Sequence, residues 1–147
     1  RKITRAVASI QKGKQDKLYL GNLDAKRDWG HAKDYVEGMW KILQYNQPED
    51  FVLATGKSHS VRDFCEIAFK EIGINISWFG EGLEEKGKDV LNDKVLIEID
   101  KRYFRPTEVD HLEGDARKAK QKLNWCPKIS FESMVSEMVQ SDVKALD

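Results

Sequence analysis

The sequence predicts an α/β fold, and three features of its 147 residues lead to that prediction. Apolar residues recur at helical spacing in several segments, most clearly in residues 31–45. Short runs rich in β-branched and aromatic residues, which are typical of strands, lie between these segments. Residues 51–54 form a continuous apolar run, the pattern of a strand buried on both faces of a parallel sheet. Strands that alternate with helices define the α/β class, and the spacing indicates one domain over residues 1–147.

The first half of the chain is predicted to hold two helices and a short strand. In residues 2–10 the apolar positions share one face, so a helix with one buried side is expected. Residues 18–20 read as a strand that ends in a turn at Gly21. Asp28 can cap the next helix, at 31–45. The apolar side chains of that helix are expected to form one stripe: Ala32, Tyr35, Val36, Met39, Ile42 and Leu43.

The second half begins with the predicted buried strand at 51–54. Either Ser58 or Ser60 can cap the helix that follows it. Residues 80–93 are charged and contain glycine, so we expect a loop there. The other predicted elements are a helix at 61–72, a half-buried strand at 74–79, a strand at 95–99, and helices at 115–123 and 131–143.

Composition excludes several classes of protein. Lys plus Arg and Asp plus Glu number 25 each, so no global positive field favours binding to nucleic acid. The sequence has no signal-peptide pattern and no apolar run near the roughly 18 residues that a membrane span requires. A protein of the cytoplasm is therefore expected. Cys65 and Cys126 have apolar neighbours, and both are expected to pack as small hydrophobic side chains.

Searches for catalytic and cofactor motifs give negative results. Gly80 and Gly82 lack the third glycine of a dinucleotide-binding fingerprint and lead into acidic residues, which would repel a pyrophosphate. No tyrosine is followed four residues later by lysine, so the Tyr-x-x-x-Lys pair of short-chain dehydrogenases is absent. The three histidines, His31, His59 and His111, lack the spacing of a zinc site and are expected to be surface or capping residues. These searches therefore predict that the chain has no dinucleotide-binding glycine loop, no Tyr/Lys catalytic pair and no zinc site.

Two segments that contain arginine suggest anion binding. Arg27 precedes a predicted helix N-terminus, where the helix dipole and free backbone N–H groups favour an anion such as a diphosphate. Arg105 stands before a proline that restricts the backbone, and Glu108 follows it as an acceptor for hydroxyl groups. Arginine combined with acid suits a phosphorylated sugar. The alternative is that these side chains form surface ion pairs, Arg27 with Asp24 or Asp28 and Arg105 with Glu108.

At these segments the sequence resembles a known family. Residues 18–37, which read LYLGNLDAKRDWGHAKDYVE, resemble GDP-mannose 4,6-dehydratases almost letter for letter. The wider group of extended short-chain dehydrogenase/reductases that act on nucleotide sugars shares only a looser R-D-W-x-x-V-x-D pattern. Residues 1–5, 105–110 and 114–116 also resemble the GDP-mannose branch, so the resemblance covers essentially the whole chain.

The resemblance implies the C-terminal part of an extended short-chain dehydrogenase/reductase, namely the substrate-binding lobe with the last strand and helices of the Rossmann domain. In that family the N-terminal half binds NADP and carries a Thr/Glu/Tyr/Lys active site. The reaction oxidises C4 of GDP-mannose, eliminates water across C5 and C6, and returns the hydride to C6 to give GDP-4-keto-6-deoxymannose. Every acid, base and hydride acceptor would then lie before Arg1, and the chain is expected to be cut from a longer one.

The resemblance also assigns roles to residues of this chain. Arg27 and Arg105 would bind the diphosphate, and Glu108 would bind a ribose or sugar hydroxyl. The backbone of Leu18, Tyr19 and Leu20 would line the guanine, and Lys2 would lie near the nucleotide. The expected partners are GDP-mannose, the N-terminal half of the same enzyme, and further copies in a homodimer or homotetramer. The rival hypotheses are a stand-alone nucleotide-sugar-binding module without catalysis and an unrelated α/β interaction domain.

Overall fold

The computed structural model describes residues 1–104 and 109–146, and it confirms the α/β class. These residues divide into two compact units. The sheet unit comprises Arg1–Ala25, Ser60–Val109 and Val135–Asp147, and the helical unit comprises Lys26–His59 and Asp110–Met134. Because each unit is assembled from separate stretches of chain, the linear sequence shows no linker between them.

Most of the predicted elements are confirmed within a few residues. In chain order the elements are α1 (Lys2–Gln11), β1 (Leu18–Leu20), β2 (Lys26–Arg27), α2 (Ala32–Gln44), β3 (His59–Ser60), α3 (Val61–Lys70), β4 (Ile76–Phe79), β5 (Lys86–Asp89), β6 (Val95–Ile99), α4 (Arg117–Leu123) and α5 (Phe131–Lys144). Short 3₁₀ turns lie at Gly82–Glu84 and Lys101–Tyr103.

The sheet unit is built on a four-stranded sheet of order β1-β6-β5-β4. β1 runs parallel to β6, with Leu18 opposite Ile97, whereas β5 pairs antiparallel with both β6 and β4. The sheet is therefore mixed, and only one of its strand pairs matches the predicted parallel arrangement. β1 lies at an edge of this sheet.

The core of the sheet unit lies where α1, α3 and the second part of α5 bury their apolar faces. A capping box starts α3, in which the Ser60 hydroxyl accepts from the Asp63 N–H at 3.0 Å and the Asp63 carboxylate accepts from the Ser60 N–H at 2.8 Å. Ser60 is thus the cap among the two predicted candidates. The largest fully buried apolar side chains of this core are Val7, Leu18, Cys65, Phe69, Ile97, Val135 and Val139.

The prediction of a loop over residues 80–93 is wrong in part, since β5 lies within it. β5 reads Lys-Gly-Lys-Asp and has no apolar side chain, so its sequence carries no strand pattern. The segment becomes a strand because β4 and β6 both pair with its backbone. The turn after β5 is closed by the buried Asp89 carboxylate, which accepts from the Leu91 N–H at 2.9 Å and from the Asn92 side chain at 2.8 Å.

The helical unit packs α2 against α4 around Trp125. The Trp125 indole is buried and donates from Nε1 to the Asp34 carbonyl oxygen at 2.8 Å. The Asp34 carboxylate, also buried, accepts from the backbone N–H groups of Lys128 and Ile129, each at 3.0 Å. One residue of α2 therefore fixes the whole segment between α4 and α5.

The prediction of one apolar stripe on α2 is wrong, because the helix carries two. The inward-facing side contains Asp34, Gly38 and the half-buried Tyr35 and Ile42. The apolar residues of the other side are between 58% and 80% exposed, and they recur at i, i+3, i+4 and i+7: Val36, Met39, Trp40 and Leu43. We call these four residues the exposed face of α2. Periodicity alone cannot tell which of two adjacent stripes a unit buries.

The predicted strand at 51–54 is not formed. None of the strands in the described residues pairs with this segment, and a strand needs a neighbour to satisfy its backbone. Val52 is 54% exposed, whereas Phe51 packs edge-on against Tyr45 with ring centroids 5.5 Å apart. The apolar run reflects packing beside α2 on one side only.

The two cysteines differ in burial. Cys65 lies in the core of the sheet unit as predicted, and burial raises the pKa of its thiol. Cys126 is exposed, so the prediction that it packs as a buried residue is wrong; its neighbour Trp125 occupies the core position instead. No helix in the described residues is both long and apolar enough to span a membrane.

Candidate functional site

The predicted site residues are distributed over both units. The sheet unit contains Lys2, Leu18, Tyr19 and Leu20, and the helical unit contains Arg27. Arg105 and Glu108 lie outside the described residues.

A cleft of about 420 Å³ lies in the sheet unit beside the edge strand β1. The strand alternates, so Leu18 and Leu20 point into the core while the Tyr19 side chain is 42% exposed and lines the cleft. The remaining lining residues come from α1, from the segment before β1, from the start of β1 and from the turn after β6: Lys2, Arg5, Ala6, Ser9, Gln15, Leu18 and Tyr103. Two of these side chains are cations, and the described lining includes no carboxylate.

Tyr103 and Arg5 also line this cleft, although the sequence interpretation did not include them among the candidate site residues. The Lys2 ammonium lies 3.2 Å from the centroid of the Tyr103 ring, which places a cation on an aromatic face at the mouth of the cleft. Arg5 follows Lys2 by three residues and lies on the same face of α1, as do Ala6 and Ser9. The i, i+3, i+4, i+7 spacing from Lys2 was the signal that could have identified this face.

The backbone around Tyr103 is closely packed against the turn that follows β1. A Cβ atom on Gly21 would lie 2.1 Å from the Tyr103 carbonyl oxygen, so only glycine fits there. The Asp100 N–H donates to the Leu20 carbonyl at 2.8 Å, and the Asp100 carboxylate caps the 3₁₀ turn by accepting from the Arg102 N–H at 2.9 Å. The Arg102 guanidinium, hydrogen-bonded to that carboxylate, lowers the pKa of Asp100. These contacts hold Tyr103 over the cleft.

Arg27 is half-buried on the two-residue strand β2 of the helical unit. Its Nη1 donates to the Lys26 carbonyl at 2.7 Å. The helix after it begins at Ala32 and is capped by His31, whose Nδ1 accepts from the Lys33 N–H at 3.1 Å. Arg27 therefore lies five residues before the first helical residue, farther from the helix N-terminus than the sequence indicated.

The prediction that Asp28 caps α2 is wrong. Its carboxylate instead accepts hydrogen bonds from two loops: from the Thr55 N–H and hydroxyl at 2.9 and 2.5 Å, from the Gly56 N–H at 2.9 Å and from the Gly114 N–H at 3.2 Å. Burial tends to raise the pKa of Asp28, but the hydrogen bonds from Thr55, Gly114 and Gly56 outweigh it and lower the pKa. Asp28 thus stays ionised at neutral pH and ties these segments together.

The alternative hypothesis pairs Arg27 with Asp24 or Asp28, and the structure shows what these two carboxylates contact. Asp24 accepts from the Arg62 guanidinium at 2.8 Å, and Arg62 also pairs with Glu85. The Asp28 oxygens accept from Thr55, Gly56 and Gly114. Both carboxylates therefore have structural partners other than Arg27.

The histidines have structural contacts, in line with the surface or capping roles predicted for them. His31 caps α2, and His59 stacks on Phe131 with ring centroids 4.0 Å apart. His111 Nε2 lies 3.1 Å from the Ser58 hydroxyl oxygen and 3.4 Å from a Glu113 carboxylate oxygen. Within residues 1–104 and 109–146, no group of three or more His, Cys, Asp or Glu side chains is arranged to hold a metal ion.

The chain is similar in sequence to one family along nearly all of its length. The family model described as GDP-mannose 4,6 dehydratase matches residues 1–138. The GDP-mannose 4,6-dehydratase of Sinorhizobium fredii (strain HH103) is 56% identical over 146 residues, which cover 99% of this chain and 42% of that protein. The GDP-mannose 4,6 dehydratase of Homo sapiens is also 56% identical over 146 residues, covering 99% of this chain and 39% of that protein. The chain thus spans about 40% of the length of these relatives.

Solved structures resemble the chain in fold. RMD from Pseudomonas aeruginosa, complexed with NADPH, superposes with a TM-score of 0.76 at 16% identity over 97% of this chain and 41% of that one. The dTDP-glucose 4,6-dehydratase of Bacillus anthracis, in complex with NAD, gives a TM-score of 0.70 at 21% identity over 95% of this chain and 38% of that one. At such identities the likeness concerns the fold alone.

Proposed function

The chain belongs to the GDP-mannose 4,6-dehydratase family, and from that premise we propose that it forms the nucleotide-sugar-binding part of such an enzyme. The enzyme would convert GDP-mannose to GDP-4-keto-6-deoxymannose with loss of water, in the cytoplasm. This chain would hold the substrate, and residues outside it would transform it. The observation that carries the proposal is the match over residues 1–138 together with the cationic, aromatic cleft of the sheet unit.

The cleft beside β1 is proposed to bind the guanosine part of the nucleotide. Tyr19 and Tyr103 offer exposed aromatic rings for a planar base. β1 is an edge strand in the described sheet, and an edge strand presents backbone N–H and C=O groups that can hydrogen-bond to the rim of guanine. These features support the assignment of Leu18, Tyr19 and Leu20 to the base, with Lys2 close to the nucleotide.

In the helical unit, Arg27 is proposed as a ligand of the diphosphate. A guanidinium matches phosphate oxygens with two parallel hydrogen bonds, which suits this role better than an isolated point charge does. For Arg105 as a second diphosphate ligand and Glu108 as a hydroxyl acceptor, the support is the family relation and the Arg-Pro-Thr-Glu sequence.

The enzyme is proposed to use NADP, which would accept a hydride from the sugar and return it. The glycine pair of this chain does not fit such a cofactor. Gly80 and Gly82 form a turn in which a Cβ on Gly80 would lie 2.7 Å from the Glu84 carbonyl oxygen, and Glu81, Glu84 and Glu85 surround them in sequence. A pyrophosphate would meet negative charge there, so no residue of this chain is assigned to the cofactor.

The exposed face of α2 supports the proposal that the helical unit binds a partner. Four large apolar side chains at helical spacing form a continuous patch, and soluble proteins seldom leave such a patch in water. We propose that it packs against the N-terminal, NADP-binding part of the enzyme. Association into a homodimer or homotetramer is proposed from the family relation.

Turnover by the protein expressed from its complete gene tests the proposal. Incubated with GDP-mannose and NADP, that protein should produce GDP-4-keto-6-deoxymannose, which can be followed by mass spectrometry. Binding of GDP-mannose without turnover would instead favour the alternative function, a stand-alone nucleotide-sugar-binding module. Absence of binding to any guanine nucleotide would overturn both.

A further inference from the structure

We propose that Asp28 and Thr55 are positioning residues that hold Arg27 in place for an anionic ligand. The inference rests on the proposed role of Arg27 as a diphosphate ligand. Neither residue is assigned to contact the ligand. They act by fixing the backbone that carries the arginine.

The first observation is that the backbone on both sides of Arg27 is anchored. On the N-terminal side, the Lys26 N–H donates to the Asp110 carbonyl at 2.7 Å, and the Leu112 N–H donates to the Lys26 carbonyl at 3.1 Å. On the C-terminal side, Asp28 is held by the bonds from Thr55, Gly56 and Gly114. Arg27 is therefore the centre of a three-residue stretch whose flanks cannot shift independently.

The second observation is how Asp28 is held. One carboxylate oxygen accepts both groups of Thr55, and the other accepts the N–H groups of Gly56 and Gly114. An ionised carboxylate has acceptor sites for all four donors, whereas an amide has acceptor sites on one side only. The lowered pKa of Asp28 agrees with this requirement for charge.

The third observation concerns Gly114, which brings a distant segment close to Asp28. A Cβ on Gly114 would lie 2.3 Å from the Ala54 Cβ, so its N–H can reach the carboxylate only because the residue is glycine. The same segment, residues 110–114, anchors Lys26 and begins two residues after Glu108 in the chain. Both flanks of Arg27 are thus tied to the stretch of chain that leads away from the second proposed arginine.

A double-mutant cycle tests the inference in the protein expressed from its complete gene. Asp28→Asn keeps the side-chain shape, but its NH₂ group replaces one carboxylate oxygen. At two of the four hydrogen bonds a donor of the new amide would then face a donor of the loops. We expect the Kd for GDP, measured by calorimetry, to rise roughly tenfold, since misplacing a charge-assisted bond costs about that factor. The Kd for guanosine, which lacks phosphates, should stay unchanged. Asp50→Asn, which removes an exposed charge in the same unit, is the matched control and should bind GDP normally.

The decisive comparison is Asp28→Asn in an Arg27→Ala background. If Asp28 acts through Arg27, Asp28→Asn should not weaken GDP binding further in a protein that already carries Arg27→Ala. Additive losses, or equal losses for GDP and guanosine, would show a general structural role and overturn the inference while leaving the role of Arg27 standing. An Arg27→Ala variant that binds GDP normally would instead refute the proposed role of Arg27 itself.

Substitutions of Thr55 provide a second test, which does not depend on whether the Asp28→Asn variant folds. Thr55→Val removes the hydroxyl that lies 2.5 Å from Asp28 and keeps the shape of the side chain. We expect Thr55→Val to weaken GDP binding several-fold. Thr55→Ser keeps the hydroxyl and should bind GDP as the unchanged protein does. Equal binding by Thr55→Val and Thr55→Ser would count against the inference.

Discussion

At the scale of single residues, the two proposed arginine ligands can be tested against the ion-pair alternative. Arg27→Ala and Arg105→Ala, made in the protein from its complete gene, should each weaken GDP-mannose binding by several-fold to a few hundred-fold, because a hydrogen bond to a charged group is worth roughly 1.5–3 kcal/mol. Calorimetry with GDP measures the change. Lys26→Ala, which removes the exposed cation next to Arg27, is the control. Normal GDP binding by both arginine variants would favour surface ion pairs.

A second residue-scale prediction follows from the lowered pKa of Asp28. A depressed folded-state pKa means that the ionised form stabilises the fold above the ordinary value of 3.8, and that this stabilisation is lost as pH falls below 3.8 through the folded pKa. Because Asp28→Asn loses two of the four hydrogen bonds that the carboxylate accepts, it should lower the free energy of unfolding by roughly 1–2 kcal/mol at pH 7. The difference should shrink toward pH 3. Urea unfolding of both proteins at the two pH values checks it. A difference that grows in acid would contradict the assignment.

At the scale of elements, α2 and β5 show that the residue pattern of a segment does not fix which of its faces is buried or which strands pair with it. The apolar period of residues 31–45 predicted the helix α2 correctly. However, α2 carries apolar residues on more of its circumference than the helical unit buries. β5 has no apolar residue and still forms a strand, because its backbone is paired on both sides. Neither outcome can be derived from the segment's own residues.

The exposed face of α2 leads to a prediction for the polypeptide of residues 1–147 expressed alone. We expect it to self-associate or unfold in part, since each large apolar side chain left in water forfeits roughly 1.5–3 kcal/mol of burial. Met39→Glu with Leu43→Glu should reduce the self-association seen by sedimentation velocity. In the protein from its complete gene the same pair should lower stability, by about 3 kcal/mol or more, because a buried contact is lost.

Gln44→Glu provides the control for that experiment, since Gln44 is exposed next to the face and carries no apolar group. It should change neither the sedimentation profile nor the melting temperature. A polypeptide of residues 1–147 that stays monomeric and melts in one sharp transition would contradict the prediction and favour the stand-alone module.

At the scale of the whole molecule, the chain shares the fold of about 40% of RMD and of the dTDP-glucose 4,6-dehydratase, and it matches about 40% of the length of its GDP-mannose 4,6-dehydratase relatives. We predict that the polypeptide of residues 1–147 alone has no dehydratase activity, because its sequence has neither a Tyr-x-x-x-Lys pair nor a dinucleotide-binding glycine fingerprint. Mass spectrometry of GDP-mannose incubated with NADP checks this. Coexpression with the NADP-binding part should restore turnover, and measurable product from residues 1–147 alone would refute the prediction.

The sequence by itself determined the family, the α/β class and most of the helices. Helices such as α2 and α5 were predictable because their hydrogen bonds and their apolar period are both local. The family was predictable because residues 18–37 form a long specific run, which also drew attention to Arg27. The cleft residues Leu18, Tyr19 and Lys2 came from that resemblance, and the spacing along α1 held the signal for Arg5.

Only the tertiary structure decided the roles of Asp28, Tyr103 and the segment at 51–54. Asp28 has the position of a helix cap in sequence, yet its partners lie 27 to 86 residues away. Tyr103 becomes part of the cleft because the turn at Gly21 packs against its backbone and Lys2 lies over its ring. Residues 51–54 look like a strand but have no strand beside them in the described chain. In each case the contacts join residues far apart in sequence, and a local pattern contains no information about which distant groups will meet.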